Sequence, residues 1–280
     1  MRLSPISNFN SFLIGLMIDR NQVSIADSSF YERFHDRSLL ETEYMQRHLQ
    51  AYHHCIEKNI PLNYHRNYLS VIKYFNEIHD YQEPHARSFL KRIKQQQKDW
   101  KQCESVVSEM IVYHSYIQPM YEGLISSISL ETGECDVIIE RCDGSKYYLE
   151  VFCIMPEFPE EGLTEIKTHK HEELSSVRQK LLNKAIKQKQ FTRKRENFAV
   201  IELNNAVAFD FVLLSSLSGG YNIQFDRKTG RMLEEGYDWE HSVFENPETK
   251  FLKGIIWFHM GAYQNRRILM NPYYATDKPN

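Results

Sequence analysis

Two carboxylates stand among apolar residues in the segment ECDVIIERCDGSKYYLEVFCI, which covers 134–154. Asp136 lies in the first of two strand-like runs, Glu150 lies in the second, and Asp143-Gly144 separates them. Like charges that face each other across strands destabilise a sheet, so such a pair needs compensation. One side chain can keep a proton at a raised pKa, or a divalent cation such as Mg²⁺ can lie between the two. The pair therefore predicts either a shared proton or a metal site.

The turn between the two runs decides whether the carboxylates meet. A two-residue Asp143-Gly144 turn would send Asp136 and Glu150 to opposite faces of the hairpin. A three-residue loop at 142–144, closed by Gly144 in the left-handed region, would place Asp136 opposite Glu150. The longer loop also aligns the apolar residues of both runs on one face and pairs a glutamate with a lysine on the other. We therefore favour the three-residue loop.

The elements that must position these side chains follow from periodicity and from Pro and Gly. A capping-box pattern at Ser38 begins a helical region that Pro61 and Pro84 interrupt. Predicted helices lie at about 38–60, 63–79, 85–117 and 172–192. Predicted strands lie at about 124–130, 134–141, 146–154, 197–203 and 254–260, and 204–250 receive no assignment. This order predicts an α+β or mixed α/β fold, with an N-terminal helical region at 1–97 and a second domain at 98–280.

The chain as a whole sets broad limits. Its 280 residues are 42% hydrophobic, enough to bury one large domain or two small ones. The formal net charge is −3, so any surface for a polyanion must be a local patch. Five cysteines, an odd number without a C-x-x-C pair, predict reduced thiols and a cytoplasmic location. No apolar run is long enough to span a bilayer, so we expect no transmembrane helix, no signal peptide and no membrane contact.

The order of elements and acidic residues resembles the PD-(D/E)XK nuclease superfamily, over about 98–203. Glu109 lies in the helix ESVVSEMIVYH, Asp136 in the strand ECDVII and Glu150 in the strand YLEVF. The helix EELSSVRQKLLNKAIKQKQF and the strand FAVIEL follow in the expected order. The resemblance implies a restriction-endonuclease-like fold, in which helices flank a central mixed sheet. It also implies a nuclease that needs Mg²⁺ (or Mn²⁺) and hydrolyses phosphodiester bonds, in DNA more than in RNA, as DNA-processing and phage-defence nucleases do.

One position departs from the family pattern. The family has Glu-x-Lys on the third strand, and Phe152 stands here where that lysine would be. In the family, the lysine helps to position and activate the attacking water and to stabilise charge on the phosphate. Its loss implies either an inactive site or a lysine from elsewhere, and some family members take a Lys or Gln from the following helix.

The following helix offers such residues. At about 100° per residue, its apolar positions form one stripe, made of Leu174, Val177, Leu181 and Ala185. Gln188 falls inside this stripe and should face the sheet, whereas Lys184 lies at its edge and could extend towards the carboxylates. Lys146 is a further candidate, because it shares a strand face with Glu150. The same geometry places Glu109 at the border of the inward face of its own helix.

The resemblance then assigns roles to these residues. Asp136, Glu150 and the backbone carbonyl of Val151 would hold the metal ion, and Glu109 would be an outer ligand or would orient a water. Lys184 would contact the scissile phosphate or the nucleophile, and Gln188 would orient a neighbour.

Two runs of basic residues could hold the nucleic acid. The first extends from Arg178 to Arg195 and has eight basic residues and no acidic one. The second extends from Arg87 to Lys101 and has six basic residues, with Asp99 as its one acid. Together they predict a groove for a phosphate backbone. The predicted contacts of the first run are Arg178, Lys180, Lys187, Arg193, Lys194 and Arg195.

Two other interpretations compete with the nuclease. In the first, the fold is kept but Phe152 marks an inactive site, and the protein binds nucleic acid or a protein partner. In the second, the chain is a helical interaction protein with an accidental acidic hairpin, which predicts a solvent-exposed Asp136 and no cleft between helix and sheet. The N-terminal helices could also contact a protein partner or a second copy in a homodimer.

Overall fold

The computed structural model describes residues 37–58, 68–130, 135–154, 172–186, 191, 195–203, 210–259 and 261–274. Its α-helices are α1 (Glu43–Lys58), α2 (Tyr68–Gln96), α3 (Trp100–His114), α4 (Ile117–Tyr121), α5 (Glu172–Ile186) and α6 (Asp210–Ser218). Its strands are β1 (Ile125–Leu130), β2 (Val137–Arg141), β3 (Lys146–Ile154), β4 (Glu196–Leu203), β5 (Tyr221–Phe225), β6 (Met232–Tyr237), β7 (Leu252–His259) and β8 (Arg267–Met270). Short 3₁₀ helices lie at Arg37–Leu39, Val243–Glu245, Pro247–Thr249 and Tyr263–Asn265.

A six-stranded mixed sheet is the centre of the fold, in the order β1-β2-β3-β4-β7-β8. The strands β1, β2 and β3 form an antiparallel meander, β3, β4 and β7 run parallel, and β8 returns antiparallel at the edge. The helix α5 is the crossover between the parallel strands β3 and β4. The fold is mixed α/β, which confirms the class predicted from the order of elements.

The two faces of this sheet carry separate cores. Because side chains alternate along a strand, Leu149 and Val151 of β3 face one side, and Phe152 and Ile154 face the other. The first face packs against the buried side chains of α1, α2 and α3. The second face packs against α5 and α6. The chain from Leu149 to Ile154 is consequently buried on both faces. The strand β3 therefore packs against helices of both layers.

The hairpin between β2 and β3 has the predicted three-residue loop. Glu140 pairs with Lys146, and the N–H of Arg141 donates to the carbonyl of Ser145 over 2.8 Å. Gly144 has a φ of +80°, a left-handed conformation that glycine adopts without steric cost. The predicted register of the two strands is therefore confirmed.

The helices of the N-terminal half differ from the prediction in where they break. The predicted break near Pro84 is present, because the chain kinks at Gln82, whose φ of −154° and ψ of 88° are not helical, and a second helical segment of α2 follows the kink and ends at Gln96. Proline is tolerated here because it lies in the first turn after the kink, where its missing N–H is not needed. The prediction of one helix over 85–117 was wrong. Asp99 interrupts it and caps α3, because its side chain accepts a hydrogen bond from the N–H of Gln102 over 3.2 Å.

The described N-terminal helices share one apolar core with α3 and the sheet. The domain boundary between 97 and 98 stays a prediction. Within the part of the chain that the structure describes, no helix is long and apolar enough to cross a membrane. Residues 210–250, which the sequence left unassigned, contain α6 and the separate β5–β6 hairpin.

Candidate active site

Asp136 lies at the point where β2 begins. The last paired residues of the ladder are Val137 and Leu149, and the N–H of Asp136 still donates to the carbonyl of Leu149 over 3.1 Å. Beyond this pair, a side chain replaces the backbone as acceptor. The N–H of Val151 donates to Oδ2 of Asp136 over 2.7 Å. This bond holds the half-buried carboxylate of Asp136 beside the backbone that carries Glu150. Asp136 is thus just outside β2, at the same end of the hairpin as Glu150.

Lys184 reaches Glu150 from α5. Its Nζ donates a hydrogen bond to Oε1 of Glu150, whose side chain is 4% exposed. The positive charge of Lys184 also acts on Asp136, where it opposes the effect of burial on the pKa. The structure therefore brings together Asp136, Glu150 and Lys184, which the helix periodicity placed within reach of one another.

The place of the missing strand lysine is filled by a core aromatic. Phe152 is buried between the sheet and α5, in the cluster that contains Val177, Leu181 and Ala185. These three residues belong to the predicted apolar stripe, and all three are buried. The Nζ of Lys184 lies 5.4 Å from the ring centroid of Phe152, so the lysine passes over the ring on its way to Glu150. A lysine from the helix thus lies next to the position that a strand lysine would occupy.

Glu109 has a partner that the sequence did not single out. It lies on α3 and is 3% exposed. Both of its carboxylate oxygens accept hydrogen bonds from Arg92 of α2, Oε1 from Nη2 over 2.6 Å and Oε2 from Nη1. A buried carboxylate at the border of a helix face needs such a partner, and that requirement is the signal that could have predicted a cation here. The sequence alone does not say that the cation lies 17 positions earlier, on a neighbouring helix.

Burial and neighbouring charges shift the pKa values of Glu109 and Asp136. Burial raises the pKa of Glu109 to about 8, and the charge of Asp136 acts in the same direction, while Arg92 opposes both. Burial also raises the pKa of Asp136, against the charge of Lys184, the Val151 N–H and the charge of Arg92. The charge of Glu150 also raises the pKa of Glu109. Three carboxyl groups and two cations therefore influence one another's protonation at this end of the hairpin.

Asp136 and Glu150 offer hard oxygen donors, the class that Mg²⁺ and Mn²⁺ prefer. Two carboxylates are within the number that usually holds Mg²⁺ in proteins, the remaining positions being water or substrate oxygens. Over the described ranges, no group of three or more His, Cys, Asp or Glu side chains is arranged to hold a metal ion. The residues present thus fit a magnesium site with two protein carboxylates rather than a closed cage.

Lys146, the other candidate lysine, lies elsewhere. Its Nζ is 3.4 Å from Oε2 of Glu140, near the turn of the hairpin. Glu150 lies four positions further along the extended strand, which corresponds to about 13 Å. Lys146 and Lys184 therefore form a natural pair for comparison, one outside the site and one inside it.

Two of the predicted nucleic-acid contacts are engaged within the fold. The guanidinium of Arg178 donates to the carbonyls of Ser216 and His241, over 3.2 and 2.9 Å, and so ties α5 to α6 and to the loop after β6. The Nζ of Lys180 donates to the carbonyl of Cys153 over 3.3 Å, and burial lowers its pKa. These bonds give both residues a part in packing α5, and their contact with nucleic acid stays a prediction.

The other basic residues of this run are only partly described. The guanidinium carbon of Arg195 lies 4.6 Å from the ring centroid of Tyr148, which fixes one end of the run against β3. Three other predicted nucleic-acid contacts lie outside the described residues: Lys187, Arg193 and Lys194. Gln188, which was predicted to face the sheet, also lies outside them.

Comparison with known proteins gives no family for this chain. No protein-family model, no curated protein and no solved structure matches the chain. The case for a function therefore depends on the side chains gathered where β2 begins, above all Asp136, Glu150 and Lys184.

Proposed function

We propose that the chain is a Mg²⁺-dependent (or Mn²⁺-dependent) nuclease of restriction-endonuclease-like fold, which hydrolyses phosphodiester bonds in nucleic acid. The observation that carries this proposal is the contact of Lys184 with Glu150, beside Asp136. It supports the proposal because the two acids and a lysine are the groups that this chemistry needs, and here the lysine comes from α5 instead of position 152. DNA is the expected substrate, in DNA processing or phage defence, by resemblance alone.

Phosphodiester hydrolysis needs an activated water, a phosphate whose charge is neutralised and a stabilised leaving oxygen. When bound, Mg²⁺ supplies charge neutralisation and an acidified water. Asp136 and Glu150 would hold it through their carboxylate oxygens, with the carbonyl of Val151 as a third donor. Lys184 donates N–H bonds at the same place, so it can hold the attacking water or an oxygen of the scissile phosphate.

The cellular location and the partners of the protein are also proposals. Cys103, Cys135, Cys142 and Cys153 are free thiols. Free thiols are the usual state in a reducing compartment, which supports a cytoplasmic location. The partners that we propose are nucleic acid and, through the N-terminal helices, a protein partner or a second copy of the chain.

A second candidate function keeps the fold without the activity. Phe152 is a core residue, and the ammonium of Lys184 already neutralises Glu150. If this pair only satisfies a buried carboxylate, the protein binds nucleic acid or another protein and cuts nothing. The two candidate functions differ in one observable: the nuclease cleaves nucleic acid when a divalent cation is present, whereas the binding protein does not cleave it with or without the cation.

The test is cleavage of plasmid DNA, single-stranded DNA and RNA with Mg²⁺, with Mn²⁺ and with EDTA. We expect cleavage of at least one substrate with either metal and none with EDTA. Asp136→Ala removes both a metal-binding carboxylate and the acceptor of the Val151 N–H, so Asp136→Asn is included to keep that acceptor. Both variants should be inactive. Retained nucleic-acid binding without cleavage by any form would support the second candidate.

A further inference from the structure

Side chains take the place of a strand along part of one edge of β3. The last residue of β3 that pairs with β2 is Leu149. Backbone groups alternate between the two edges of a strand, so Val151 and Cys153 present theirs at the same edge as Leu149. The N–H of Val151 donates to Oδ2 of Asp136 over 2.7 Å. The carbonyl of Cys153 accepts a hydrogen bond from Nζ of Lys180 over 3.3 Å. A carboxylate and an ammonium therefore follow each other along this edge.

The spacing of these two side chains follows from the strand that anchors them. Val151 and Cys153 are two residues apart on an extended strand, which corresponds to about 6.6 Å. Cys153 is also the one further from the turn of the hairpin. The ammonium of Lys180 is therefore the next side-chain group along the edge after the carboxylate of Asp136.

The helix α5 brings a second lysine to the same segment of β3. Lys180 precedes Lys184 by about one turn, so both side chains leave the same face of the helix. Lys184 contacts the carboxylate of Glu150, and Lys180 contacts the carbonyl of Cys153, three residues further along β3. Two ammonium groups thus reach the part of β3 that carries the candidate active site.

The two lysines differ in their partners. Lys184 is paired with the buried carboxylate of Glu150. Among the described residues, Lys180 is bonded to the carbonyl of Cys153 and has no carboxylate within ion-pair distance. An ammonium has three N–H donors, and this bond uses one of them. Lys180 can therefore offer its charge and two donors to another acceptor.

The charges around Lys180 indicate what that acceptor is. The side chain of Lys180 is exposed, but its ammonium lies against β3. Burial of this end lowers the pKa of Lys180, and the charge of Lys184 acts in the same direction. Like charges one helix turn apart destabilise each other. An anion at this edge would relieve the repulsion, and a phosphate offers the oxygen acceptors that ammonium groups bind.

We propose that Lys180 is a catalytic residue that binds a non-bridging oxygen of the scissile phosphate, while Lys184 stays with Glu150 and holds the attacking water. This inference rests on the proposed nuclease function. It gives the two lysines separate tasks, whereas the resemblance assigns both tasks to one lysine. A phosphate bound to Lys180 lies beside Asp136, a carboxylate that would hold the metal ion.

The first measurement is the salt dependence of DNA binding in EDTA, where no metal-dependent cleavage can occur. Fluorescence anisotropy with a labelled oligonucleotide compares the wild type with Lys180→Ala, Lys180→Gln and Lys180→Arg. The glutamine keeps an N–H donor without the charge, and the arginine keeps the charge. Loss of one phosphate contact lowers the slope of log K against log salt by about 0.7 to 0.9. We expect this change in Lys180→Ala and Lys180→Gln, and a slope close to the wild type in Lys180→Arg.

Two further variants serve as matched controls. Lys146→Ala removes an exposed lysine of β3 that lies outside the site, and it should leave the slope unchanged. Lys184→Ala/Glu150→Gln removes an ion pair without net charge, and it should also keep the wild-type slope. A lower slope in this double variant, with a normal slope in Lys180→Ala, would show that Lys184 binds the phosphate and would overturn the inference.

The second measurement is cleavage in the presence of Mg²⁺. Lys180→Ala and Lys180→Gln should lose about 10²- to 10³-fold in kcat/KM, the usual effect of removing one donor to a developing charge. Lys180→Arg should keep more activity than either. Added ethylamine should restore part of the activity of Lys180→Ala, a rescue that a purely structural role would not give.

The outcomes separate this inference from the function on which it rests. If the wild type neither binds nor cleaves nucleic acid, the proposed function and the inference are both wrong. If it cleaves, but Lys180→Ala and Lys180→Gln keep the wild-type slope and kcat/KM, the inference is overturned and the nuclease remains. If it binds without cleaving, the slope alone decides whether Lys180 contacts phosphate. If it cleaves but binds too weakly in EDTA for a slope, kcat/KM and the amine rescue decide.

Discussion

At the scale of single residues, the candidate site exists because one side chain ends a strand ladder. Asp136 accepts the backbone N–H of Val151 where another strand residue would offer a carbonyl. The N–H of Val151 stays satisfied, and the bond uses only one of the two carboxylate oxygens of Asp136. A carboxylate so placed can serve the fold and a cation together.

The ion pair of Lys184 with Glu150 should contribute to stability whatever its chemistry. Lys184→Ala leaves a buried carboxylate without its ammonium, so we expect a loss of about 3 kcal/mol in the free energy of unfolding. Lys184→Ala/Glu150→Gln should recover part of this loss, because the remaining group carries no charge. Urea unfolding of the three proteins checks this, and Lys146→Ala, which breaks an exposed pair, should cost about 1 kcal/mol or less. Equal losses in Lys184→Ala and Lys146→Ala would contradict the placement of the lysine.

The raised pKa of Glu109 predicts a pH dependence of stability. Its pKa is about 8 in the folded chain and 4.5 ordinarily. Between these values the folded chain holds a proton that the unfolded chain releases, so the free energy of unfolding falls as the pH rises from 5 to 8. Glu109→Gln does not titrate and should show a flatter profile in urea unfolding at pH 5 and pH 8. Glu248→Gln, at an exposed position, should keep the wild-type profile, and a Glu109→Gln profile as steep as the wild type would refute this cause.

At the scale of elements, patterns with a clear period were predictable and contacts between elements were not. The register of the hairpin followed from its turn and from alternation, and the inward stripe of α5 followed from its 100° period, which placed Lys184 correctly. Arg92 was missed because its partner lies on another helix, and no period within α2 marks it. The break at Asp99 was missed because the apolar pattern continues through it.

A further buried acidic residue, Glu202, joins elements on the face of the sheet that packs against α3. Glu202 of β4 is fully buried and accepts from Oγ of Ser108 over 2.5 Å and from the N–H of Gly261 over 2.9 Å. It thus ties β4 to α3 and to the turn after β7.

Replacement of Glu202 should therefore be costly. Glu202→Ala leaves the N–H of Gly261 without this acceptor, whereas Oγ of Ser108 can still donate to the carbonyl of Glu104 over 2.8 Å, so we expect a loss of about 1 to 3 kcal/mol. Glu196→Ala, on the same strand, removes a half-exposed pair with Lys253 and should cost about 1 kcal/mol or less. Thermal or urea unfolding of both variants measures the difference, and a loss under 1 kcal/mol in Glu202→Ala would show that water replaces the carboxylate.

At the scale of the whole molecule, the sheet separates two helical layers. Lys184 reaches Glu150 from one layer, and the pair of Glu109 with Arg92 lies in the other. The alternation of helices and strands predicted the fold class. The β5–β6 hairpin was not predictable in the same way, because most of its residues are exposed and lack the alternation of a half-buried strand.

The most direct test of the central claim is metal-dependent cleavage of nucleic acid by Lys184→Ala beside Lys146→Ala. If the helix lysine replaces the one missing at Phe152, Lys184→Ala should lose about 10²- to 10⁴-fold in rate, as removal of a group that moves a proton or stabilises charge does. Lys146→Ala should cleave at close to the wild-type rate. Cleavage by Lys184→Ala at the rate of the wild type, or no metal-dependent cleavage by any of the three proteins, would contradict the claim.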